Sequence, residues 1–357
     1  MNLTFKIFNP LDYFWKTFSL DLGVDLGTSN TKIAVCGKGT VVREPTVVAS
    51  HKKTKQIIAI GTEARKMLGK TPASIVAARP LANGVINDLE LAEALLKHFI
   101  KKIHQSPSSF PKIPRPKVVL AVPSGATEVE RRALSDAAVN AGAREAYLLE
   151  EPMAAALGAR LAIDEPNGNM IVDIGGGTTE IAIISLGGIV VCKSLRIAGM
   201  EMDEEIISYV RSRYNLLLGI KTAEEIKIAH GSAYPAIKES KVQVYGRDLA
   251  TGLPTSVQVS TGEIREALSN TLHEIVEGIK ETIEDSPPEL VNDVAKNGIY
   301  LSGGSSLLKG LPQFIAKETK IPVVLVEDPL TTVVKGTSRV LENKNIFKKL
   351  VTAGALK

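Results

Sequence analysis

Cysteine is almost missing from this chain: Cys36 and Cys192 are the only two among 357 residues. Two cysteines in separate strand-like stretches, with no metal-type spacing, exclude a disulfide framework and a cysteine metal site, and fit a reducing cytoplasm. Long apolar runs are absent too. No stretch approaches the roughly 18–20 residues that span a bilayer, and no basic start leads into an uninterrupted apolar block, so neither a membrane span nor export is expected. Charge of one sign is not gathered anywhere. The formal net charge of +4 is spread along the chain, which gives nucleic acid no electrostatic footing as a partner but suits a mildly anionic membrane surface. Aromatic residues are scarce at 4%, yet Phe5, Phe8, Tyr13, Phe14, Trp15 and Phe18 crowd the start.

What is present is a repeated sentence. The stretch VDLGTSNTKIAV, Val24 to Val35, nearly recurs as VDIGGGTTEIAI, Val172 to Ile183. In each, an apolar run ends in Asp, a Gly/Ser/Thr-rich turn follows, and an alternating apolar run leaves it, which reads as strand, tight turn, strand. Such a turn lets backbone N–H groups approach an anion closely, and phosphate is the natural guest. Asp25 and Asp173 at the turn mouths would repel phosphate directly but can accept hydrogen bonds from water on Mg²⁺. A single turn of this kind is ordinarily just a hairpin. Two copies in register suggest paired half-sites across a cleft, clasping a metal triphosphate. The pattern matches neither the P-loop nor the Rossmann fingerprint.

Around the hairpins, strands alternate with helices, which predicts α/β domains in two related halves. Strand-like sequence covers 41–50, 57–60, 118–122 and 299–302; helical sequence covers 63–68, 89–103, 127–141, 201–213, 222–228 and 263–283. The length allows two or three domains of about 100–200 residues. Thr127 with Glu130, Thr222 with Glu225 and Ser260 with Glu263 each match the capping box of a helix start. Glu130 is thereby explained without catalysis.

These residues resemble the actin, sugar-kinase and heat-shock ATPase superfamily, and within it the bacterial MreB family. The resemblance runs from about Leu22 to the C-terminus. It is carried by DLGTSNT (25–31), REPTVV (43–48), MLGKTP (67–72), Arg79-Pro80, NGVIND (83–88), VPSGATEVERRA (122–133), LEEPMAAA (149–156), the second hairpin, RIAG (196–199), GSAYP (231–235), SPPEL (286–290) and EDPLT (327–331). It implies an actin-like, ribonuclease H-like α/β fold, two halves around a nucleotide cleft, each with a smaller inserted subdomain. Domain I would comprise 21–164 and 330–357, with an insertion at about 41–92; domain II would comprise 165–329.

The same resemblance implies ATP and Mg²⁺ as cofactors and a weak ATPase. Gly27, Thr28, Ser29 and Asn30 look like the first phosphate loop, and Gly175, Gly176, Gly177 and Thr178 like the second. Glu224 and Lys227 look like ribose and adenine contacts, and Gly303, Gly304, Ser305, Ser306, Leu307 and Leu308 like the loop closing over the base. Asp25 and Asp173 would hold the metal through water. Glu151 matches the glutamate that positions the attacking water; on its residues alone it could equally be a helix N-cap.

Some positions depart from the family pattern. SGGS (302–305) stands for the usual TGGG, so Ser305 needs room for its Cβ near the base. EEIK (224–227) inverts a charge beside the nucleotide at Glu225, and AHG (229–231) and Met200 also differ.

At the N-terminus, Asn9 can cap a helix and Pro10 can open it, which puts Leu11, Phe14, Trp15 and Phe18 on one apolar stripe. This segment, residues 1–20, could dock on its own domain. The resemblance favours an amphipathic membrane anchor, with Phe110 and Ile113 in the place of the family's apolar membrane loop. It further implies homopolymer filaments of paired protofilaments at the inner face of the cell membrane, serving the cell-wall elongation machinery with partners such as RodZ, MreC and MreD. A small-molecule kinase or a chaperone ATPase is the alternative, but neither a substrate insertion nor a substrate-binding module is evident.

Overall fold

The computed structural model describes residues 19–106, 113–235 and 239–357. The first half opens on β1 (Leu22–Leu26), β2 (Asn30–Val35) and β3 (Gly39–Pro45), followed by β4 (Val48–His51), β5 (Ile57–Ile60), α1 (Thr62–Met67) and β6 (Ile75–Ala78). It continues through β7 (Leu81–Ala82), β8 (Val85–Ile86), α2 (Leu89–Gln105), β9 (Lys117–Val122), α3 (Glu128–Asn140), β10 (Glu145–Glu150) and α4 (Glu151–Gly158). The second half begins with β11 (Asn169–Ile174), β12 (Thr179–Ser185), β13 (Gly188–Leu195), α5 (Gly199–Tyr214), β14 (Leu216–Leu217) and α6 (Ile220–His230). Then come β15 (Lys241–Asp248), β16 (Pro254–Ser260), α7 (Thr261–Glu284), α8 (Pro288–Asn297), β17 (Ile299–Ser302), α9 (Leu311–Thr319) and β18 (Val323–Leu325). The chain finishes with α10 (Thr332–Glu342) and α11 (Lys344–Thr352).

The repeat extends well beyond the hairpins. One five-stranded sheet runs β10-β9-β1-β2-β3 and the other β18-β17-β11-β12-β13, so each is an antiparallel meander of three strands extended by two parallel ones. Their central strands are buried along their whole length, as strands covered on both faces must be. Two small three-stranded sheets, β5-β4-β6 and β14-β15-β16, stand apart, one in each half.

Helix starts follow local chemistry at two of the three expected boxes. Thr127 with Glu130 and Ser260 with Glu263 both close the reciprocal cap. The third is overturned. α6 starts earlier, at Ile220 behind Gly219, with no side-chain cap; Thr222 is thus inside the first turn, and Glu225 pairs with Lys221 instead. The strand expected over 41–50 also divides, because Pro45 ends β3 and β4 begins at Val48 in a different sheet.

Among the described residues three large apolar clusters form the core. One belongs to each half, and the third joins them: Val119, Ala121, Leu149 and α4 meet Ile171, Ala182 and Ile184, with Val333, Val340, Leu350 and Leu356 from the end of the chain. Within it α4 and α10 cross backbone to backbone. A Cβ on Gly158 would collide with the Thr332 carbonyl, and one on Gly336 with the Ala154 carbonyl.

Candidate functional site

The two repeated turns face one another across a cavity of about 370 Å³ between the halves. Their apposition is close enough to require glycine. A Cβ on Gly177 would lie 2.5 Å from Thr28 Oγ1, and one on Gly176 would run into Ser29. The first turn is held from behind: Thr46 Oγ1 donates to the Gly27 carbonyl at 2.6 Å, and the Gly84 N–H donates to Thr28 Oγ1 at 2.8 Å. Arg79 reaches the same turn, its guanidinium 3.3 Å from the Thr28 carbonyl. The second turn is closed by Gly175 N–H to the Thr178 carbonyl at 2.9 Å, and the Met200 N–H at the start of α5 donates to the Gly176 carbonyl at 2.8 Å.

Acidic side chains line the cavity floor. Asp25 forms a 2.7 Å ion pair with Lys32, its cross-strand partner in the first hairpin. Burial works against the Lys32 ammonium, but Asp25, reinforced by Asp173 and Glu151, holds its pKa above the ordinary lysine value. Burial pushes Asp173 up to about 6, with the nearby Ser302 hydroxyl opposing the shift and the Asp25 charge adding to it. Its Oδ1 is buried and has no hydrogen-bond partner. A carboxylate oxygen orphaned at the mouth of a phosphate-type turn fits a hydrated hard cation, and Asp25 with Asp173 form an all-oxygen donor set suited to Mg²⁺.

Glu151 stands at the first position of α4, ahead of Pro152, and is 8% exposed. Glu150, not Glu151, occupies the N-cap. Burial raises the Glu151 pKa well above the usual carboxylate value, and the charges of Glu180, Asp25 and Asp173 raise it further. A buried carboxyl tuned in this way suits proton transfer with water.

On the opposite wall Lys227 lies 2.8 Å from Asp203 and also donates to the Gly199 carbonyl. Burial pushes Asp203 up to about 6 despite that neighbour. Glu224 is bound by Arg65, which reaches across from α1 at 2.6 Å. Ser305 finds the room its Cβ needs, and its Oγ donates to the Gly175 carbonyl at 2.7 Å, tying the loop at 303–308 to the second turn.

All but one of the nucleotide and metal positions anticipated from sequence line this cavity, from Asp25 and Gly27–Asn30 to Leu308. Ser306 does not; it is buried, with its hydroxyl donating to the Gly303 carbonyl. Glu225 is exposed on α6 and lies off the cavity, so its charge does not face the pocket as expected. Arg79, Asp203 and Lys32 were not anticipated as site residues. Lys32 had a signal, standing opposite Asp25 once the hairpin is folded in register, and Arg79 had one in the Arg79-Pro80 motif; Asp203 had none. Ile113 is exposed, whereas Leu11, Phe14, Trp15, Phe18 and Phe110 lie outside the described residues.

Two matching sheets closing paired turns over one acidic cavity define an actin-like protein with a nucleotide-type cleft. The MreB/Mbl protein family model matches residues 19–349, and the chain belongs to that family. It is 48% identical to the cell shape-determining protein MreB of Escherichia coli K12, over 93% of this chain and 96% of that protein. It is 44% identical to the cell shape-determining protein Mbl of Bacillus subtilis 168, over 93% and 98%. The crystal structure of MreB5 of Spiroplasma citri bound to ADP superposes with a TM-score of 0.86 at 39% identity, over 94% of this chain and 98% of that one. The MamK double helical filament shares the fold at a TM-score of 0.76 and 23% identity, over 91% and 99%.

Proposed function

We propose that this protein is an ATP-driven cytoskeletal subunit. It binds Mg-ATP in the cleft, hydrolyses it slowly, and assembles into paired protofilaments on the inner face of the cell membrane, where the filaments direct cell-wall synthesis and keep the cell rod-shaped. The observation that carries this reading is the apposition of the two glycine-rich turns over the orphaned Asp173 oxygen, with Glu151 in the same cavity. The ADP-bound relative supports the choice of nucleotide, and the cell-shape relatives support the cellular role. We divide the chain into 21–164 with 330–357, and 165–329; support comes from the two five-stranded sheets, whose strands fall within 22–150 and 169–325.

In the proposed reaction the backbone N–H groups of both turns orient the phosphates. Asp25 and Asp173 would hold Mg²⁺ through water, and the ion would neutralise charge on the phosphate oxygens. Glu151 accepts the proton of the attacking water as the bond from oxygen to the γ-phosphorus forms and the bond to the leaving diphosphate breaks. Lys227 and Glu224 contact base and ribose, which requires Glu224 to exchange Arg65 for the sugar.

Membrane attachment rests on the apolar stripe of Leu11, Phe14, Trp15 and Phe18, with Phe110 and Ile113. Each large side chain is worth roughly 1.5–3 kcal/mol at full burial, less after partial insertion and helix ordering. A monomer therefore binds weakly, and a filament binds firmly through many anchors. Among the described residues no helix is long and apolar enough to cross a membrane. The elongation components RodZ, MreC and MreD are the corresponding protein partners.

The test combines electron microscopy on anionic lipid vesicles with phosphate release, using wild type, Glu151→Ala and Glu130→Ala. Wild type forms vesicle-bound filaments with Mg-ATP. Glu151→Ala binds nucleotide but loses most release, while Glu130→Ala keeps release and loses about 1 kcal/mol of stability with its cap. Unchanged release from Glu151→Ala, or no nucleotide-dependent assembly of wild type, refutes the proposal.

A further inference from the structure

The two hairpins differ at one informative place. Asp25 is cross-strand partner to Lys32, whereas Asp173, its counterpart, is partner to Glu180. The first pair is a salt bridge; the second sets two acids opposite one another, an arrangement that is unfavourable in a ladder. Glu180 is fully buried, so its oxygens need donors to be tolerated. They have three. The Ser124 N–H donates to Oε2 at 3.0 Å and the Ser124 hydroxyl to the same oxygen at 2.5 Å, while the Ser194 hydroxyl donates to Oε1 at 2.5 Å.

These donors come from opposite halves. Ser194 is in β13, beside Glu180 in the second sheet, but Ser124 follows β9 of the first. Ser124 is itself fixed: its carbonyl accepts from Arg131 Nη2 at 3.0 Å, and the same nitrogen reaches Glu150 Oε1 at 3.0 Å. Glu150 occupies the N-cap position of α4, with no side-chain cap bond, immediately before Glu151. A continuous polar chain, Glu180–Ser124–Arg131–Glu150, thus runs from the second half to the turn that presents Glu151. Glu180 is also the acid whose charge weighs most on Glu151.

We propose that Glu180 is a positioning residue for hydrolysis: by gripping Ser124 across the interface it makes the placement of Glu151 depend on how the two halves are set. The proposal rests on Glu151 being the hydrolytic residue. A shift of the halves that withdrew Ser124 would strip Glu180 of two of its three donors and cut the tie between the second half and the Ser124–Arg131–Glu150 chain that ends beside Glu151. Hydrolysis would then report lobe setting, not merely nucleotide occupancy.

The full-length protein is assayed for phosphate release over a range of ATP concentrations, alongside fluorescent-ATP binding and thermal unfolding. The variants are Glu180→Gln, Ser124→Ala, Ser124→Thr and Ser194→Ala. Misplacing a reacting group costs about 10²-fold per ångström, so Glu180→Gln and Ser124→Ala are expected to lower kcat by about tenfold or more with KM nearly unchanged. Ser124→Thr, which keeps the hydroxyl, restores the rate. Ser194→Ala, which removes a bond inside one half only, has a smaller effect than Ser124→Ala. Unchanged kcat in both Glu180→Gln and Ser124→Ala overturns the proposal while leaving Glu151 in place. An equal loss in Ser194→Ala that tracks thermal stability also overturns it, by reducing Glu180 to a structural group. A wild type that binds ATP but releases no phosphate refutes the hydrolytic reading and this proposal with it.

Discussion

Replacing Asp173 by asparagine should stabilise the empty protein and cripple the loaded one. The carboxyl is 6% exposed, and its pKa is pushed from 3.8 to about 6, chiefly by burial. A rise of about two units corresponds to roughly 3 kcal/mol of unfavourable charge burial. The sign follows from the raised value. Below the unfolded pKa the group is neutral in both states and the penalty is absent; it grows between 3.8 and about 6 and is complete above that. Integrating between the two pKa values leaves about half of the penalty at pH 5 and about a fifth at pH 4. The amide of the substituted side chain keeps the shape of the carboxyl without its charge. In EDTA without nucleotide, Asp173→Asn should therefore melt above wild type at pH 8, at about 1–2 °C per kcal/mol for a chain of this size, with the gap roughly halved at pH 5. Adding Mg-ATP reverses the order, because wild type gains the binding term RT ln(1 + [L]/Kd) that the variant largely lacks. Scanning calorimetry across pH 4–8, with and without Mg-ATP, reads both effects. A variant less stable than wild type at pH 8 without nucleotide, or one with an equal Mg-ATP shift, would falsify the assignment of Asp173 as a strained metal-water acceptor.

Two more expectations concern glycine and serine positions. Gly336→Ala puts a methyl group into the Ala154 carbonyl, and forcing the helices apart should cost about 1–3 kcal/mol or more; Gly219→Ala, with nothing within 4 Å, should change the denaturant midpoint little, and equal midpoints for the two variants would contradict the tight α4–α10 crossing. Ser305→Gly loses the bond to the Gly175 carbonyl, worth about 0.5–1.5 kcal/mol; calorimetric titration should show weaker nucleotide binding, and unchanged affinity would show that this tie does not organise the pocket.

The repeated hairpin was legible because its chemistry is local: strand, Asp and small-residue turn lie within a dozen residues, and register then dictates the Asp25–Lys32 pair. The boxes at Thr127 and Ser260 were legible for the same reason. Thr222 misled, because the apolar positions Ala223 and Ile226 anchor a helix that extends back to Ile220, and packing overrode the local cap. The Arg65–Glu224, Lys227–Asp203 and Ser124–Glu180 contacts join distant parts of the chain. No spacing rule announces such pairs. Glu180 was visible within the second hairpin, yet only the folded pair of sheets shows that its partner is a serine from the other half.

The packing of α10 also bears on how the protein is made. A Cβ on Gly23 in β1 would strike Thr337 and Ser338, so one of the earliest strands rests against one of the last helices. The joint core beneath α4 likewise needs Val333, Val340, Leu350 and Leu356. At a synthesis rate of about 5–20 residues per second, β1 leaves the ribosome many seconds before its cover exists. Each half's own cluster closes within its own residues, 22–148 in the first half and 170–315 in the second, so what waits for the end of the chain is the joint core. The nascent joint core must wait with an apolar face open, and a ribosome stalled before residue 332 would hold two halves whose own clusters are complete but whose shared core is unfinished.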